Sequence, residues 1–238
     1  MSDGLSADRA ILGAVRGAQA GDDDAERIAA ELAAIGSAPP VSISPEERWE
    51  YFLNRCKINN IEVHGASSRS DAVKRIARFI YTEHNSYRAV AGNDRRLAAM
   101  PWRDGGVLVR FGAAAPADPV AISYAHCGVA ETGSVLLFSN RDNPASNNWL
   151  SRHHIVLMDE AMLVGNLEEA WDVVRRQTEG RLPYRGTHLI SGPSSTGDIV
   201  GHIVTGAHGP QRLLLIVLGR VDPALLEACG HPQLPAPD

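Results

Sequence analysis

Residues 187–218, which read THLISGPSSTGDIVGHIVTGAHGPQRLLLIVL, carry the pattern that decides the fold. Two apolar runs, 188–191 and 213–218, are typical of buried strands because each is short and bounded by Gly or Pro. Between them, Ser195 followed three residues later by an acid is close to a helix capping box, and Gly206 is typical of a helix C-terminal turn. The spacing therefore predicts a strand, a tight turn, a short helix, another turn and a second strand.

The turn that opens the predicted helix is a candidate anion site. A helix that begins just after a parallel strand directs its free backbone N–H groups into the crevice at the carboxyl end of that strand. Such amides, together with hydroxyl groups, bind a carboxylate or a phosphate. The alternative is a well-capped crossover without a ligand, since the turn has neither the Gly-Lys pair of a Walker A loop nor the glycine spacing of a Rossmann fingerprint. The candidate ligand-binding residues are Gly192, Ser194, Ser195, Thr196, Gly197 and Asp198.

Outward from this stretch, short apolar runs alternate with amphipathic segments. This alternation predicts an α/β fold with a mainly parallel sheet and flanking helices. The strands that follow one another without long helices between them indicate some antiparallel or edge pairing. Strands are predicted at 61–63, 87–90, 107–111, 120–124, 134–138 and 155–158, and helices from Ser44, at 68–80 and at 167–176.

The two ends of the chain differ from this alternating part. We predict an N-terminal helical arm at 1–40, in which the acidic run at 22–24 begins a helix and two prolines form a linker. The α/β domain is predicted at 41–225 and a C-terminal tail at 226–238. The arm would either dock a partner or pack on itself.

Charge and hydropathy exclude several classes of function. The chain has 238 residues and a net charge of −5, so it lacks the basic surplus expected of a nucleic-acid-binding protein. Its longest apolar run, 213–218, is too short to cross a bilayer. Because the N-terminus also lacks a signal-peptide pattern, we expect a soluble, cytoplasmic protein.

The cysteines argue against a cofactor held by this chain. Cys56, Cys127 and Cys229 are far apart in sequence, whereas iron–sulfur and zinc sites normally show CxxC-type spacing. An odd number of cysteines at wide spacing also argues against a disulfide framework. We expect no metal, no cluster and no other cofactor in this chain.

A second informative stretch, residues 130–134, reads AETGS and precedes a predicted strand. Glu131, beside a glycine turn, has the chemistry of a base, a cation ligand or a group that orients a hydroxyl, although a loop glutamate more often caps a turn or pairs with arginine. Thr132 and Gly133 would add ligand contacts. His208 belongs to a later GAHGP turn and is the histidine best suited to reach the same crevice. Glu131 and His208 are therefore the candidate catalytic residues.

The motifs at 130–133, 192–199 and 206–210, in this order, resemble the LUD-domain family over roughly residues 45–220. The resemblance implies a three-layer α/β/α sandwich similar to the NagB/RpiA/CoA-transferase group. It also implies a role in oxidising L-lactate to pyruvate beside partner proteins that carry iron–sulfur clusters, with this chain as a cluster-free member.

The chain departs from the family pattern within the candidate anion turn. Ser195 stands where many relatives have a basic residue, Gly197 where they have alanine, and Val200 where they have an acid. Loss of an arginine there removes a bidentate contact to an anion. The departure leaves room for a different ligand or for a scaffold role.

Three functions stay open on these residues. The first is an accessory subunit of an L-lactate utilization system that acts with iron–sulfur proteins and does not turn over alone. The second is a stand-alone NagB-like enzyme or binding protein for an anionic small molecule, such as a sugar phosphate, a folate or an acyl-CoA, with Glu131 as base or nucleophile. The third is a relative that has lost the ancestral site. We expect the first, because no complete catalytic constellation is visible, and a homo-oligomer is compatible with all three.

Overall fold

The computed structural model describes residues 13–14, 22–36, 41–178, 185–197 and 203–233. The chain divides into two compact units, Met1–Pro40 and Val41–Asp238. In the first unit, helix α1 (Asp22–Ile35) begins at the acidic run, as the sequence predicts. The predicted helical segment before it lies almost entirely outside the described residues.

The second unit is built on apolar runs that form strands, and the central strands are buried on both faces. Its helices and strands are, in chain order, α2 (Arg48–Ile58), β1 (Ile61–Ala66), α3 (Arg69–His84), β2 (Arg88–Ala91), α4 (Arg95–Ala98), a 3-10 turn (Trp102–Gly105), β3 (Leu108–Phe111), β4 (Val120–Tyr124), β5 (Cys127–Val129), β6 (Ser134–Ser139), α5 (Ser146–Trp149), β7 (His153–Asp159), a second 3-10 turn (Glu160–Met162), β8 (Leu163–Val164), α6 (Leu167–Gln177), β9 (Gly186–Ile190), β10 (Ser195–Gly197), β11 (Ile203–Thr205), β12 (Arg212–Leu218) and α7 (Pro223–Ala228).

Six of these strands form one parallel sheet in the order β1-β12-β7-β4-β2-β3. The central strands β4 and β7 and most of β12 are buried, as expected of a parallel sheet covered on both faces. One face packs against α3 and the 3-10 turn that contains Trp102. Helix α3 begins where the sequence predicts, because the Ser68 hydroxyl accepts a hydrogen bond from Asp71 N.

The other face packs against α2, α7 and a smaller sheet. The smaller sheet has the order β8-β5-β6-β9 and includes antiparallel pairs, and α6 covers its outer face through Ala170, Val173 and Val174. The predicted α/β/α sandwich with a mainly parallel sheet is confirmed, with this small sheet inserted into one of its layers.

The predicted helix that begins at Ser195 is wrong. Residues 195–197 form β10, which pairs antiparallel with β11, so that Thr196 stands opposite Val204. The β-branched run Ile203, Val204 and Thr205 favours a strand over a helix. The preceding strand β9 is also antiparallel to its neighbour β6, so the expected crevice at the end of a parallel strand does not form there.

The C-terminal segment packs on the domain. The predicted boundary between residues 225 and 226 falls inside α7. Leu226 is buried, and His231 Nε2 lies 2.8 Å from Leu53 O. Gln233 closes the open edge of β1, where its side chain accepts from Gly65 N (3.0 Å) and donates to Val63 O (3.3 Å).

Candidate functional site

Two of the three sequence motifs, those at 130–133 and 192–199, meet at the C-terminal end of α2. Asn59 Nδ2 donates to Thr132 O at 2.8 Å, and a Cβ placed on Gly192 would lie 2.3 Å from Asn59 O. Gly192 has a φ of +132°, a conformation that side chains rarely adopt. Glycine is therefore required at this position both by the backbone angle and by the close approach of Asn59.

Gly133 has a matching role in the other motif. Its φ is +65°, and a Cβ there would lie 2.6 Å from the Cβ of Arg55 and 2.8 Å from Cys56 N. The turn at 131–133 can therefore approach the last turn of α2 only without a side chain at this residue. The AETGS stretch is thereby fixed against the same helix end as Gly192.

A chain of hydroxyl groups joins the two motifs. Ser134 Oγ donates to Thr132 Oγ1 at 2.8 Å and lies 2.6 Å from Ser191 Oγ. Because a hydroxyl has a single proton and Ser134 donates its own to Thr132, Ser191 is the donor in the Ser191–Ser134 hydrogen bond. We call this group, with Asn59 and Gly192, the motif junction.

The motif junction opens on a cavity of about 610 Å³. Asn59 and Ser191 line it from the junction, and Ser195 and Thr205 line it from the β10–β11 hairpin. The floor is formed by the amino ends of β1 and β12, since Ile61 pairs with Leu213 at that end of the sheet. The site therefore lies at the opposite end of the parallel strands from the one the sequence predicts.

The charged groups of the cavity wall are largely paired. Arg212 donates to Glu62 Oε1 through Nε (2.9 Å) and Nη2 (2.6 Å), and Nη1 lies 2.6 Å from Glu83 Oε1. The hydrogen bond from Arg212 holds the pKa of Glu83 below its ordinary value. Lys57 Nζ donates to Gly230 O at 3.1 Å. An anion in the cavity would thus meet an arginine already neutralised by two carboxylates.

The neighbouring histidine does not add positive charge at neutral pH. His64 lines the cavity and is 4% exposed. Burial lowers the pKa of His64 to about 4, because a charged imidazolium loses its hydration inside the protein. Of the described wall residues, Lys57 is therefore the main source of positive charge not held by a carboxylate.

Glu131 and His208 do not line this cavity. Glu131 Oε2 accepts a hydrogen bond from Leu167 N at 3.3 Å, at the start of α6. His208 is exposed in the turn after β11. The structure thus brings Thr132, Gly133, Gly192 and Ser195 to one region and directs the Glu131 carboxylate to a helix start.

Three of the remaining predicted ligand residues, Ser194, Thr196 and Gly197, lie in the hairpin or directly before it. Ser194 N donates to Pro210 O (2.9 Å), and Ser194 O accepts from Gly206 N (2.7 Å). Thr196 and Gly197 are in β10, so they present strand backbone and no helix N-terminus. Asp198 lies outside the described residues.

Sequence reasoning missed Asn59, Ser191, Lys57 and Arg212. The Asn-Asn pair at 59–60 is a turn signal, and Asn60 indeed has a φ of +56°. Nothing in the sequence pairs that turn with a glycine more than 130 residues later. In the sequence, Arg212 is only the polar residue before the apolar run 213–218. Nothing near it in the sequence indicates its two carboxylate partners.

The three cysteines are core residues. All three are free and buried, and Cys127 belongs to a different core from Cys56 and Cys229. Burial raises the pKa of the Cys127 thiol to about 12, so this side chain is a protonated thiol at neutral pH. Within the described ranges, no group of three or more His, Cys, Asp or Glu side chains is arranged to hold a metal ion.

His154 is a buried core residue. It is 0% exposed and its Nε2 lies 2.9 Å from Ser123 Oγ. Burial lowers its pKa to about 3. The side chain is therefore neutral at pH 7 and shielded from solvent.

Comparison with known proteins matches the part of the chain that holds both motifs. Residues 114–218 match the family model described as LUD domain. Lactate utilization protein C of Shouchella clausii is 37% identical over 100 residues, which are 42% of this chain and 43% of the relative. Lactate utilization protein C of Bacillus subtilis is 29% identical over 100 residues, 42% of each chain. The match thus spans less than half the length of these relatives.

A solved structure shares the fold. The crystal structure of a DUF162 family protein from Deinococcus radiodurans aligns with a TM-score of 0.54 and 18% identity, covering 75% of this chain and all of the other. No helix of the described residues has the length and apolar character needed to cross a membrane. The predicted likeness is confirmed: residues 114–218 match the LUD domain model, and the chain is similar over about 100 residues to the lactate utilization C proteins.

Proposed function

We propose that the protein is a cluster-free component of an L-lactate utilization system and acts in the cytoplasm with iron–sulfur partner proteins. The observation that carries the proposal is the likeness to relatives named lactate utilization protein C, together with the LUD domain match at 114–218. That match contains Thr132, Gly133, Ser191 and Gly192 of the two motifs.

The chemistry of lactate oxidation explains why partners are needed. Conversion of lactate to pyruvate releases two electrons and two protons, and the electrons require an acceptor. The three thiols of this chain are buried in two separate cores, and no three His, Cys, Asp or Glu side chains of the described residues converge on one site, whereas an iron–sulfur cluster needs several ligands together. We therefore assign the clusters to the partner proteins and a docking or positioning role to this chain.

Affinity capture tests this proposal. The tagged full-length chain is captured from cells grown on L-lactate, and the eluate is assayed for iron, acid-labile sulfide and L-lactate oxidation with an artificial electron acceptor. We expect iron-containing partners and activity in the eluate, and neither with the purified chain alone. An eluate without iron from lactate-grown cells would contradict the proposal.

We also propose a second candidate, the binding of a small organic anion in the cavity at the motif junction. The cavity volume of about 610 Å³ suits a ligand of metabolite size. Lys57, Ser195 and Asn59 provide donors. The paired state of Arg212 favours a ligand with a single carboxylate over one with several phosphates.

Thermal-shift measurements test this second function. The full chain is titrated with L-lactate, pyruvate, a sugar phosphate and an acyl-CoA. Binding should raise the melting temperature of the wild type and of Glu131→Gln, but not that of Lys57→Met, because Lys57 is the main free positive charge of the cavity wall. Loss of the ligand response in Glu131→Gln with retention in Lys57→Met would move the site away from the cavity.

A further inference from the structure

The outer edge of β3 is open. β3 has β2 as its hydrogen-bonded neighbour and ends the six-stranded sheet. The opposite edge, β1, is closed by Gln233, whereas no described residue pairs with the outer side of β3. An open edge strand presents unpaired backbone groups that another strand can satisfy.

The backbone groups that face outward can be identified. Leu108 N donates to Tyr87 O and Gly112 N donates to Ala91 O, so the even-numbered residues of β3 face β2. Backbone direction alternates along a strand. Val109 and Phe111 therefore direct their N–H and C=O groups to the open edge.

Apolar side chains are exposed along the same edge. Leu108 is 63% exposed and Phe111 is 40% exposed. Both line an open groove of about 990 Å³ together with Trp102 and Pro119. Exposed apolar surface beside unpaired strand edges marks an interaction surface.

The charges of the groove favour a second copy of this chain as the occupant. Its wall carries Arg88, Arg103 and Arg110 together with Asp104 and Asp118. A two-fold contact brings the same surface against itself, so it needs both signs on one patch. A second β3 is also already ordered as a strand, while a free peptide would lose conformational entropy on binding.

We propose that the protein forms a two-fold dimer in which β3 pairs antiparallel with β3 of a second copy. The register is centred on Arg110. In this register Val109 pairs with Phe111 of the second copy, and the outward N–H and C=O groups of both residues form the hydrogen bonds between the two strands. A β-branched side chain then lies beside an aromatic one across the two strands. Each Arg110 keeps its ion pair with Asp118, which offsets the repulsion between the two guanidinium groups. The result is a continuous twelve-stranded sheet.

The mass of the full chain in solution tests the dimer. Light scattering after gel filtration, at chain concentrations up to about 100 µM, should show the mass of two chains for the wild type. Phe111→Glu and Leu108→Glu each place a charge on the edge and should raise the Kd at least about tenfold. Both side chains are exposed, so melting curves should show that the variants fold.

A matched control is Leu189→Glu on β9, which ends the smaller sheet and is 38% exposed. This variant should stay dimeric. A monomeric wild type, or a dimer that dissociates in Leu189→Glu and persists in Phe111→Glu, would overturn the proposal. A monomer that captures another protein through β3 would also overturn it and identify a foreign strand as the occupant.

Cross-linking tests the register. In this register Arg110 of one copy stands opposite Arg110 of the other as a non-hydrogen-bonded antiparallel pair. The Cα atoms of such a pair are about 4.5 Å apart, which is close enough for a disulfide bond. Arg110→Cys should therefore give a disulfide-linked dimer under mild oxidation, and the native thiols are buried and should not react. Leu189→Cys should stay monomeric on a non-reducing gel. Absence of the Arg110→Cys cross-link in a dimeric sample would contradict this register.

Discussion

At the residue scale, two glycines allow the motifs to meet at Asn59, and one of them gives a sharp prediction. Gly192→Ala places a Cβ 2.3 Å from Asn59 O at a φ of +132°, so we expect a loss of about 2–3 kcal/mol in the free energy of unfolding. Gly197→Ala, in the same stretch, meets nothing within 4 Å and should stay within about 0.5 kcal/mol of the wild type. Urea unfolding of both variants measures the difference. Equal stabilities would contradict the close approach.

Glu131 gives a second prediction at this scale, because its carboxylate binds the amide of Leu167 at the start of α6. Negative charge stabilises a helix N-terminus. Glu131→Gln should therefore lower the free energy of unfolding by about 0.5–1 kcal/mol, while Glu227→Gln, at an exposed position near the C-terminal end of α7, should not. If Glu131→Gln instead kept full stability and abolished growth on L-lactate, Glu131 would be a functional carboxylate and not a cap.

At the element scale, the sequence predicted most strands because each is a short apolar run. β4 was placed at its observed bounds, and β6, β7 and β12 within a few residues. Residues 195–197 and 203–205 form strands where the sequence predicts a helix, since the capping-box spacing competes with a β-branched run and the antiparallel pairing decides the outcome. The two motifs of the candidate site were found in the sequence. Their meeting point at Asn59 was not, because contacts between distant segments leave no local pattern.

Helix α6 gives the element-scale prediction, because its N-cap is a single side chain. Asn166 Oδ1 accepts from Glu169 N at 2.9 Å. Asn166→Ala should lower the free energy of unfolding by about 1 kcal/mol. Asn166→Asp keeps the acceptor oxygen and should therefore keep most of the stability that the cap provides. Urea unfolding compares the two variants. Equal losses would show that the contact of Asn166 Nδ2 with Val41 O matters more than the cap.

At the scale of the whole molecule, several buried histidines make stability depend on pH. Burial lowers the pKa of His64, His126 and His153 to about 4 and that of His154 to about 3. The unfolded chain binds protons on these groups below pH of about 6.5, while the folded chain does not. Stability should therefore be complete above that pH and fall as the pH decreases from about 6.5 to 4.

The fully buried His154 contributes up to about 1.4 kcal/mol per pH unit in that window. Urea unfolding at pH 7.5, 6 and 5 measures the slope. His154→Gln should flatten it, and His208→Asn, at an exposed position, should leave it unchanged. An unchanged slope in His154→Gln would mean that this histidine accepts a proton in the folded state.

The central claim, a role in L-lactate utilization, is tested most directly by growth. A strain of the source organism that lacks this gene is grown with L-lactate or with pyruvate as the sole carbon source, and L-lactate consumption is measured. We predict that the strain grows on pyruvate, fails on L-lactate, and recovers when the full chain is restored. Growth on L-lactate at the wild-type rate without the gene would contradict the claim.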